Sequence, residues 1–215
     1  MCFSLKASLI ASSGLMVLGY FSLKEIKARR QILFAGVPLL FSIQQLSEGI
    51  LWAYMNGLIS NIFIKNFAVY FFLTFVLLIW PFYMPLSIYF LERKKLNKQI
   101  LLGITIFGTC FSVFLLFYLI KYGADVTILG NSICYQIYLP EGVDVKSLMF
   151  YVCAVVAPFF ISTVSLMPYF GFALLASCIF AYYFWFATFI SVWCFFGAIL
   201  SCFVIWILKR INRRK

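Results

Sequence analysis

Four side chains able to do chemistry together lie in one short segment, SIQQLSEGILW, at residues 42–52. On a helix, Gln44, Gln45 and Trp52 are three or four positions from Glu48, so two amides and an indole surround one carboxyl. This group could bind a small polar solute or cation, or relay a proton, with the indole as one wall. The same side chains could instead join helices through hydrogen bonds, and the sequence leaves both interpretations open.

Glu48 lies in the second of several long apolar runs, where an ionised carboxylate facing lipid would cost about 2.5–3.5 kcal/mol. The sequence therefore predicts that Glu48 faces the interior of a helix bundle. It also predicts a largely protonated carboxyl at rest, because burial disfavours the charged form. All other charged side chains fall in loops or near the ends of the runs, so hydroxyl groups on other helices are the expected partners. The candidates are Thr105, Thr109, Ser112, Ser162, Thr163, Ser165, Thr188 and Ser191.

The composition indicates that lipid surrounds most of the chain. Of 215 residues, 65% are hydrophobic and 11% are charged, and the mean hydropathy is +1.06. A soluble domain is about half apolar and a quarter charged, so a soluble fold cannot hide this much apolar surface. We expect a single domain over residues 1–215. The net charge of +11 occurs in short clusters between apolar runs, which argues against nucleic-acid binding and is typical of membrane topology signals.

The apolar runs predict an all-α membrane protein with seven transmembrane helices. If the N-terminus is outside and the C-terminus is cytoplasmic, thirteen basic residues face the cytoplasm and four face outward, as the positive-inside rule requires. An even number of spans would lose this asymmetry, so we expect a multi-pass protein of the plasma (inner) membrane. The predicted spans are residues 7–23, 32–54, 67–91, 99–120, 147–165, 169–185 and 187–208.

Two weaker breaks divide the apolar block at residues 147–208 into three spans. The segment LMPYFG around Pro168 predicts an inner turn, and YYFWF at residues 182–186 predicts an aromatic belt near an outer turn. Between spans four and five, residues 126–138 partly alternate in polarity around a Gly-Asn pair, which predicts a short β-hairpin on the outer side. The hairpin is either a lid over an outward-opening cavity or a plain connector.

The residue types that usually hold cofactors are scarce. The chain has no His, which excludes His-ligated zinc or haem and any His general base. Its seven Cys form no Cys-x-x-Cys pair, so neither a metal site nor a cofactor is predicted. Cys2 and Cys134 both fall on the predicted outer side, and they could form a disulfide if that side is oxidising.

Small residues and prolines indicate how the helices pack. Small side chains recur at four-residue spacing in the first and last runs, which suits close helix contact. Prolines in the second, third and fifth runs, together with Gln44 and Glu48, favour a polar cavity among those three spans. The small-residue pairs are Ala7 with Ala11, Ser8 with Ser12, Gly197 with Ser201, and Ala198 with Cys202.

Two short motifs carry a family resemblance. The opening MCFS, at residues 1–4, and the Gln-Gln-x-x-Glu-Gly pattern of Gln44, Gln45, Glu48 and Gly49 resemble a bacterial family of multi-spanning membrane proteins of unknown function. The resemblance implies a shared fold across the chain and no particular activity. Retinal proteins and membrane hydrolases with His-bound zinc fit less well, because the last span has no central lysine and the chain has no His.

These observations predict an integral membrane protein whose leading function is transport or binding of a small polar solute, ion or proton at Gln44, Gln45, Glu48 and Trp52. An alternative is a non-catalytic partner subunit or assembly protein of a membrane complex, with spans one and seven as its contact surface. A weaker alternative is a membrane enzyme acting on a lipid or isoprenoid, for which the sequence offers no set of nucleophile, base and metal. The expected partners are the bilayer, a small solute or cation, and other membrane subunits.

Overall fold

The computed structural model describes residues 4–138 and 144–213, and about 81% of the protein is helical, in agreement with the predicted all-α class. Seven helices and one two-stranded hairpin make up the described residues, and consecutive helices pack against each other. The helices are α1 Leu5–Lys24, α2 Ile32–Met55, α3 Ile62–Leu91, α4 Lys95–Tyr122, α5 Asp144–Ile161, α6 Met167–Phe184 and α7 Phe186–Arg213. The strands are β1 Ala124–Leu129 and β2 Ser132–Ile137.

Apolar side chains cover the outside of the bundle as well as its core. Five of the described helices, α1, α3, α4, α6 and α7, are long and apolar enough to cross a membrane. Their outward side chains include Ile10, Phe63 and Ile120, each more than 70% exposed. In water, this exterior would expose a large hydrophobic surface. An apolar exterior of this kind therefore suits a lipid environment.

The helix ends agree with the predicted runs to within about five residues, and the largest structural difference lies before α6. That turn occupies residues 162–166, whereas the sequence placed it around Pro168. Leu166 has a left-handed backbone, with φ of 78°, and so reverses the chain there. Pro168 instead lies in the first turn of α6, where its missing N–H costs no helical hydrogen bond.

Helix α1 packs closely on α2 through small side chains. Ser12 Oγ donates to the carbonyl of Ser42 at 2.9 Å, and Ser42 Oγ donates back to the carbonyl of Ser12 at 2.7 Å. A methyl group on Gly19 would lie 2.4 Å from Leu39 Cδ2, so the helices approach too closely there for a larger residue. The close packing predicted for Ser8 and Ser12 is confirmed, since both are buried against α2.

The small residues of α7 also face the interior of the chain. A methyl group on Gly197 would lie 2.9 Å from the ring of Phe41 on α2. Ala198 and Ser201 are buried, whereas Cys202 is exposed. Apart from Cys202, the small residues of α7 named here therefore pack within the bundle, as Ser8 and Ser12 of α1 do.

Helix α3 contains a π-helical segment, Phe75–Ile79, directly before Trp80 and Pro81. Proline has no backbone N–H to donate to the preceding turn of the helix. The wider π-helical turn, which contains one extra residue, accommodates Pro81 at this position. A methyl group on Gly108 would lie 2.3 Å from the backbone carbonyl oxygen of Pro81. The backbone of α3 therefore packs directly against Gly108 of α4. The bulge and this contact together direct Trp80 into the core, where it is 3% exposed.

The hairpin is present as predicted and packs on the bundle. Its strands are antiparallel, with Thr127 opposite Cys134, and Gly130 adopts φ of 61° at the turn. Tyr135 stacks on Phe72 of α3 with ring centroids 4.6 Å apart. The Cys134 thiol is free, buried, and donates to the carbonyl of Ala187 at 3.0 Å. Cys2, its predicted disulfide partner, lies outside the described residues.

The two ends of the bundle differ in character. We call the end where α1 ends and α2 begins the basic end, because it carries the clusters at residues 24–30, 93–98 and 209–213. The opposite end carries the hairpin, and we call it the hairpin end.

Glu92 joins the α3–α4 loop to the α5–α6 loop at the basic end through hydrogen bonds. It is 3% exposed and accepts hydrogen bonds from the backbone N–H groups of Arg93 and Lys94, at 2.7 and 2.9 Å. The backbone N–H and the hydroxyl of Thr163 each donate to it at 2.6 Å. Burial opposes ionisation of this carboxyl, but the hydrogen bonds outweigh it and lower the pKa of Glu92 from its ordinary 4.5 to about 2.

Gln31 makes a second tie at the same end. Its Oε1 accepts the backbone N–H groups of Lys27 and Ala28, at 2.7 and 3.0 Å. Its Nε2 donates to Asn212 Oδ1 at 2.7 Å, and Asn212 Nδ2 donates to the carbonyl of Glu25 at 2.7 Å. The start of α2, the end of α1 and the end of α7 are therefore joined by one polar network.

Candidate functional site

Glu48 faces the interior of the bundle, as the sequence predicts. Gln44, Gln45 and Glu48 are all 0% exposed, while Ile43 and Leu46 of the same helix are 41% and 40% exposed. Helix α2 therefore turns its polar positions inward and its apolar positions outward. This orientation avoids the cost of a carboxyl in contact with lipid.

Helix α7 supplies the hydroxyl partner of Glu48. Ser191 Oγ donates to Glu48 Oε1 at 2.5 Å, and Ser191 is itself 0% exposed. Ser191 was one of eight hydroxyl residues that the sequence offered. Thr105 instead donates to the carbonyl of Leu101 in its own helix. Thr163, another of the eight, binds Glu92.

Gln44 connects α2 to both α3 and α7. Trp80 Nε1 donates to Gln44 Oε1 at 2.8 Å, and the Trp80 ring stacks on Phe41 with centroids 4.0 Å apart. The Gln44 side chain also interacts with the thiol of Cys194. The sequence analysis missed Trp80 and Cys194, whose only signal was their position in apolar runs that also contain proline or small residues. We call Gln44, Gln45, Glu48, Trp80, Ser191 and Cys194 the polar cluster.

Trp52, the predicted wall of the site, is 5% exposed and belongs to the hydrophobic core. Neither Trp52 nor any of the three polar residues predicted with it lines either of the two cavities described below. Their role in ligand binding stays a prediction.

A cavity of about 570 Å³ lies between the hairpin and helices α3 to α7. The sequence placed it among spans two, three and five, but α2 contributes none of the described lining residues. The reason is that α2 packs tightly on α1, α3 and α7, while the hairpin end of the bundle opens under β2. The lining residues are Val76, Leu77, Leu115, Cys134, Tyr135, Gln136, Ile137, Ser147, Leu148, Tyr151, Tyr182, Phe186, Ala187, Phe189, Ile190, Trp193 and Cys194.

One wall of this cavity is shared with the polar cluster, because Cys194 belongs to both. Tyr151, Trp193 and Cys194 line the cavity and also a void of about 30 Å³ on its inner side. That smaller space also touches Phe41 and Trp80, and it is large enough to hold a water molecule. One layer of side chains, with Cys194 in it, therefore separates the cavity from Gln44 and Glu48.

Metal binding finds no ready set of ligands in the described part of the chain. Within residues 4–138 and 144–213, no group of three or more Cys, Asp or Glu side chains is placed to hold a metal ion. The polar cluster offers amide, hydroxyl, thiol and carboxyl groups. These groups can exchange protons or hydrogen-bond a small molecule.

Packed apolar helices around one buried polar cluster are consistent with an integral membrane protein. The chain belongs to the "Family of unknown function (DUF6629)", whose family model matches residues 1–215. This agrees with the resemblance to a family of unknown function noted from the sequence. No curated protein and no solved structure matches the chain.

Proposed function

We propose that this protein spans the membrane seven times and binds a small solute in the cavity under the hairpin, from which the solute is passed across the bilayer. In this topology the N-terminus and the hairpin are outside and the C-terminus is in the cytoplasm. The support is the distribution of basic residues: among the residues that the structure describes, eleven lie at the basic end and four lie elsewhere. The protein would then be a multi-pass protein of the plasma membrane.

The observation that carries the proposal is the position of Cys194. It lines the cavity on one side and interacts with Gln44 on the other, next to the Ser191–Glu48 hydrogen bond. A solute in the cavity would therefore lie one side chain away from the intramembrane carboxyl. Intramembrane acids commonly mark substrate or proton pathways, because a bilayer tolerates them only at a cost.

The ties at the basic end give this arrangement a direction. The hairpin end holds the large cavity, while Glu92 and Gln31 join the loops at the basic end. A protein that passes a solute inward must open these ties after the solute binds. In this proposal the protein accepts the solute from the hairpin side, and ion or proton movement through Glu48 would be coupled to the later opening.

The proposal is tested by asking whether water reaches Glu48 through the cavity. We would record infrared difference spectra of the full-length protein, wild type minus Glu48→Gln, and follow the carboxyl band after transfer to heavy water. Leu148→Trp fills the cavity, whereas Leu102→Trp adds the same group at a position 42% exposed on the outside of α4.

We expect rapid deuterium exchange at Glu48 in the wild type and in Leu102→Trp, and at least tenfold slower exchange in Leu148→Trp. A band that stays unchanged at every pH and exchanges slowly in the wild type would overturn the proposal. Equal exchange in both Trp variants would show that water reaches Glu48 by another route and would equally refute the cavity as the pathway.

The partner-subunit alternative is favoured by one observation. Glu48 is 0% exposed and hydrogen-bonded to Ser191, which is also how a purely structural helix contact would look. Against it, most of the small residues of α1 and α7 that were its expected contact surface pack inside the chain, among them Ser8, Ser12 and Ala198. Slow exchange at Glu48 would make this alternative the leading one. No specific observation favours the lipid or isoprenoid enzyme.

A further inference from the structure

The walls of the cavity are chiefly aliphatic and aromatic side chains. Leu115, Leu148 and Ile190 line it from three different helices, together with several aromatic rings. At about 570 Å³ the cavity falls within the common range for small-molecule sites, about 300–1,000 Å³. Such sites are mostly apolar, with a few polar groups that fix the orientation of the ligand.

Trp193 provides an unused hydrogen-bond donor in this wall. The residue is 6% exposed, and its indole N–H has no acceptor among the residues that the structure describes. Buried donors are nearly always paired in folded proteins, so this N–H calls for an acceptor from outside the chain. Trp80, by contrast, donates its N–H to Gln44 at 2.8 Å.

The indole of Trp193 is held firmly in place. It stacks on Phe189 with centroids 5.4 Å apart, and Tyr151 meets it edge-on at 5.6 Å. All three residues line the cavity. A donor fixed in this way can orient a ligand without first paying for its own ordering.

The rim of the cavity is aromatic and reaches the surface. Tyr182 is 41% exposed and Phe186 is 69% exposed, and both line the cavity. They lie at the junction of α6 and α7, where the sequence predicts an aromatic belt at the membrane interface. A ligand that partitions into lipid can therefore enter at this rim.

We infer that the cavity takes an uncharged, largely apolar molecule that carries a carbonyl oxygen, which accepts the hydrogen bond of the Trp193 N–H. This inference rests on the proposed function, because it names the class of solute for the same cavity. It replaces the small ion of the sequence interpretation with a lipophilic ketone, ester or amide that enters from the membrane.

The probe for the test is benzophenone, which is uncharged, apolar and ketone-bearing, and which cross-links to nearby C–H bonds under ultraviolet light. The full-length protein in lipid nanodiscs is titrated with benzophenone, illuminated and digested, and the labelled residues are located by mass spectrometry. Fluorenone and fluorene serve as competitors, since they share a shape and differ in the carbonyl group.

We expect saturable labelling at Leu115, Leu148 and Ile190, with fluorenone competing about 2- to 10-fold better than fluorene. Trp193→Phe keeps the ring but removes the N–H, and it should weaken benzophenone binding by a similar factor. Trp206→Phe is the matched control, since Trp206 lies on the same helix, is 55% exposed and does not line the cavity. It should leave binding unchanged.

Labelling that does not saturate, or that falls equally on outward residues such as Ile10 and Phe63, would overturn the inference. Equal competition by fluorene and fluorenone with the wild type would do the same, even if Trp193→Phe failed to fold. The failures are distinguishable. Fast, cavity-dependent exchange at Glu48 without benzophenone binding would refute only the ligand class, whereas slow exchange at Glu48 would refute the proposed function itself.

Discussion

The basic end and the hairpin end of this bundle are held together by different forces. At the basic end, the buried side chains of Glu92 and Gln31 hold the loops through hydrogen bonds, four of them on Glu92 alone. At the hairpin end, the contacts are chiefly ring stacking, such as Tyr135 on Phe72, around a cavity of about 570 Å³. Hydrogen bonds to a charged group are directional and costly to break. Apolar contacts around a cavity are individually weak and can rearrange at a small cost.

These different contacts determine which end of the molecule opens more easily. A region with few buried contacts opens at a low free energy, and a region closed by a saturated polar network opens only at a high one. We therefore expect the hairpin to fluctuate while the basic end stays closed. A solute would enter where opening is easy, and passage would require breaking the harder end.

The largest effect should come from breaking the Glu92 tie. Glu92→Ala leaves the donors of Thr163, Arg93 and Lys94 without their acceptor, and we expect a loss of about 3–4 kcal/mol of unfolding free energy. Thermal unfolding in detergent micelles measures it. Glu25→Ala is the matched control at the same end, because it keeps the backbone carbonyl and removes a side chain whose partly exposed pair with Lys209, at 3.8 Å, is worth under about 1 kcal/mol. Equal losses of unfolding free energy in the two variants would show that the hydrogen bonds of Glu92 do not specifically stabilise the basic end.

Acid should loosen the same tie in a defined window. The pKa of Glu92 is lowered from 4.5 to about 2, so the ionised carboxyl contributes stability that is fully present above pH 4.5 and lost as the pH falls through 2. The stability difference between the wild type and Glu92→Gln should therefore shrink by about 3 kcal/mol between pH 5 and pH 2. Melting temperatures measured across this range check it. A difference that is constant with pH would mean that Glu92 is not bound as a carboxylate.

The close contact between α3 and α4 lies between the two ends of the bundle and can be tested by substitution. Gly108→Ala would place a methyl group 2.3 Å from the carbonyl of Pro81, and backbone cannot move aside cheaply. We expect a loss of about 2 kcal/mol, with disturbed packing of Trp80 on Gln44. Gly103→Ala on the same helix meets nothing within 4 Å and should be neutral or stabilising, since alanine favours helix. If both variants unfold at the wild-type temperature, α3 and α4 are not in close contact.

Much of this architecture could be predicted because long apolar runs separated by charged clusters form a simple pattern. The apolar runs located all seven helices to within a few residues, and the turn signal at Gly130 located the hairpin. Glu48 could be placed in the interior because the alternative, a carboxyl facing lipid, is expensive. These are local or one-dimensional constraints, which a sequence carries directly.

Contacts between distant helices could not be predicted in the same way. Ser191 was one of eight possible partners for Glu48, and only the packing of α7 on α2 selects it. Trp80 and Cys194 lie in apolar runs, where a core role is the ordinary expectation, so nothing local marked their contact with Gln44. Glu92 was set aside as a loop residue, because its partner Thr163 is 71 positions away.

The smallest effect is expected at the hairpin turn. Gly130 has φ of 61°, which costs an alanine about 1 kcal/mol and an asparagine much less. Gly130→Ala should therefore raise hydrogen exchange at the β1 and β2 amides roughly fivefold, while Gly130→Asn should match the wild type. Exchange at the basic end should not change in either variant, because Gly130 lies at the opposite end of the bundle and a methyl group there would meet nothing within 4 Å. Faster exchange at both ends in Gly130→Ala would show that they open as one cooperative unit, and the proposed order of opening would then fail.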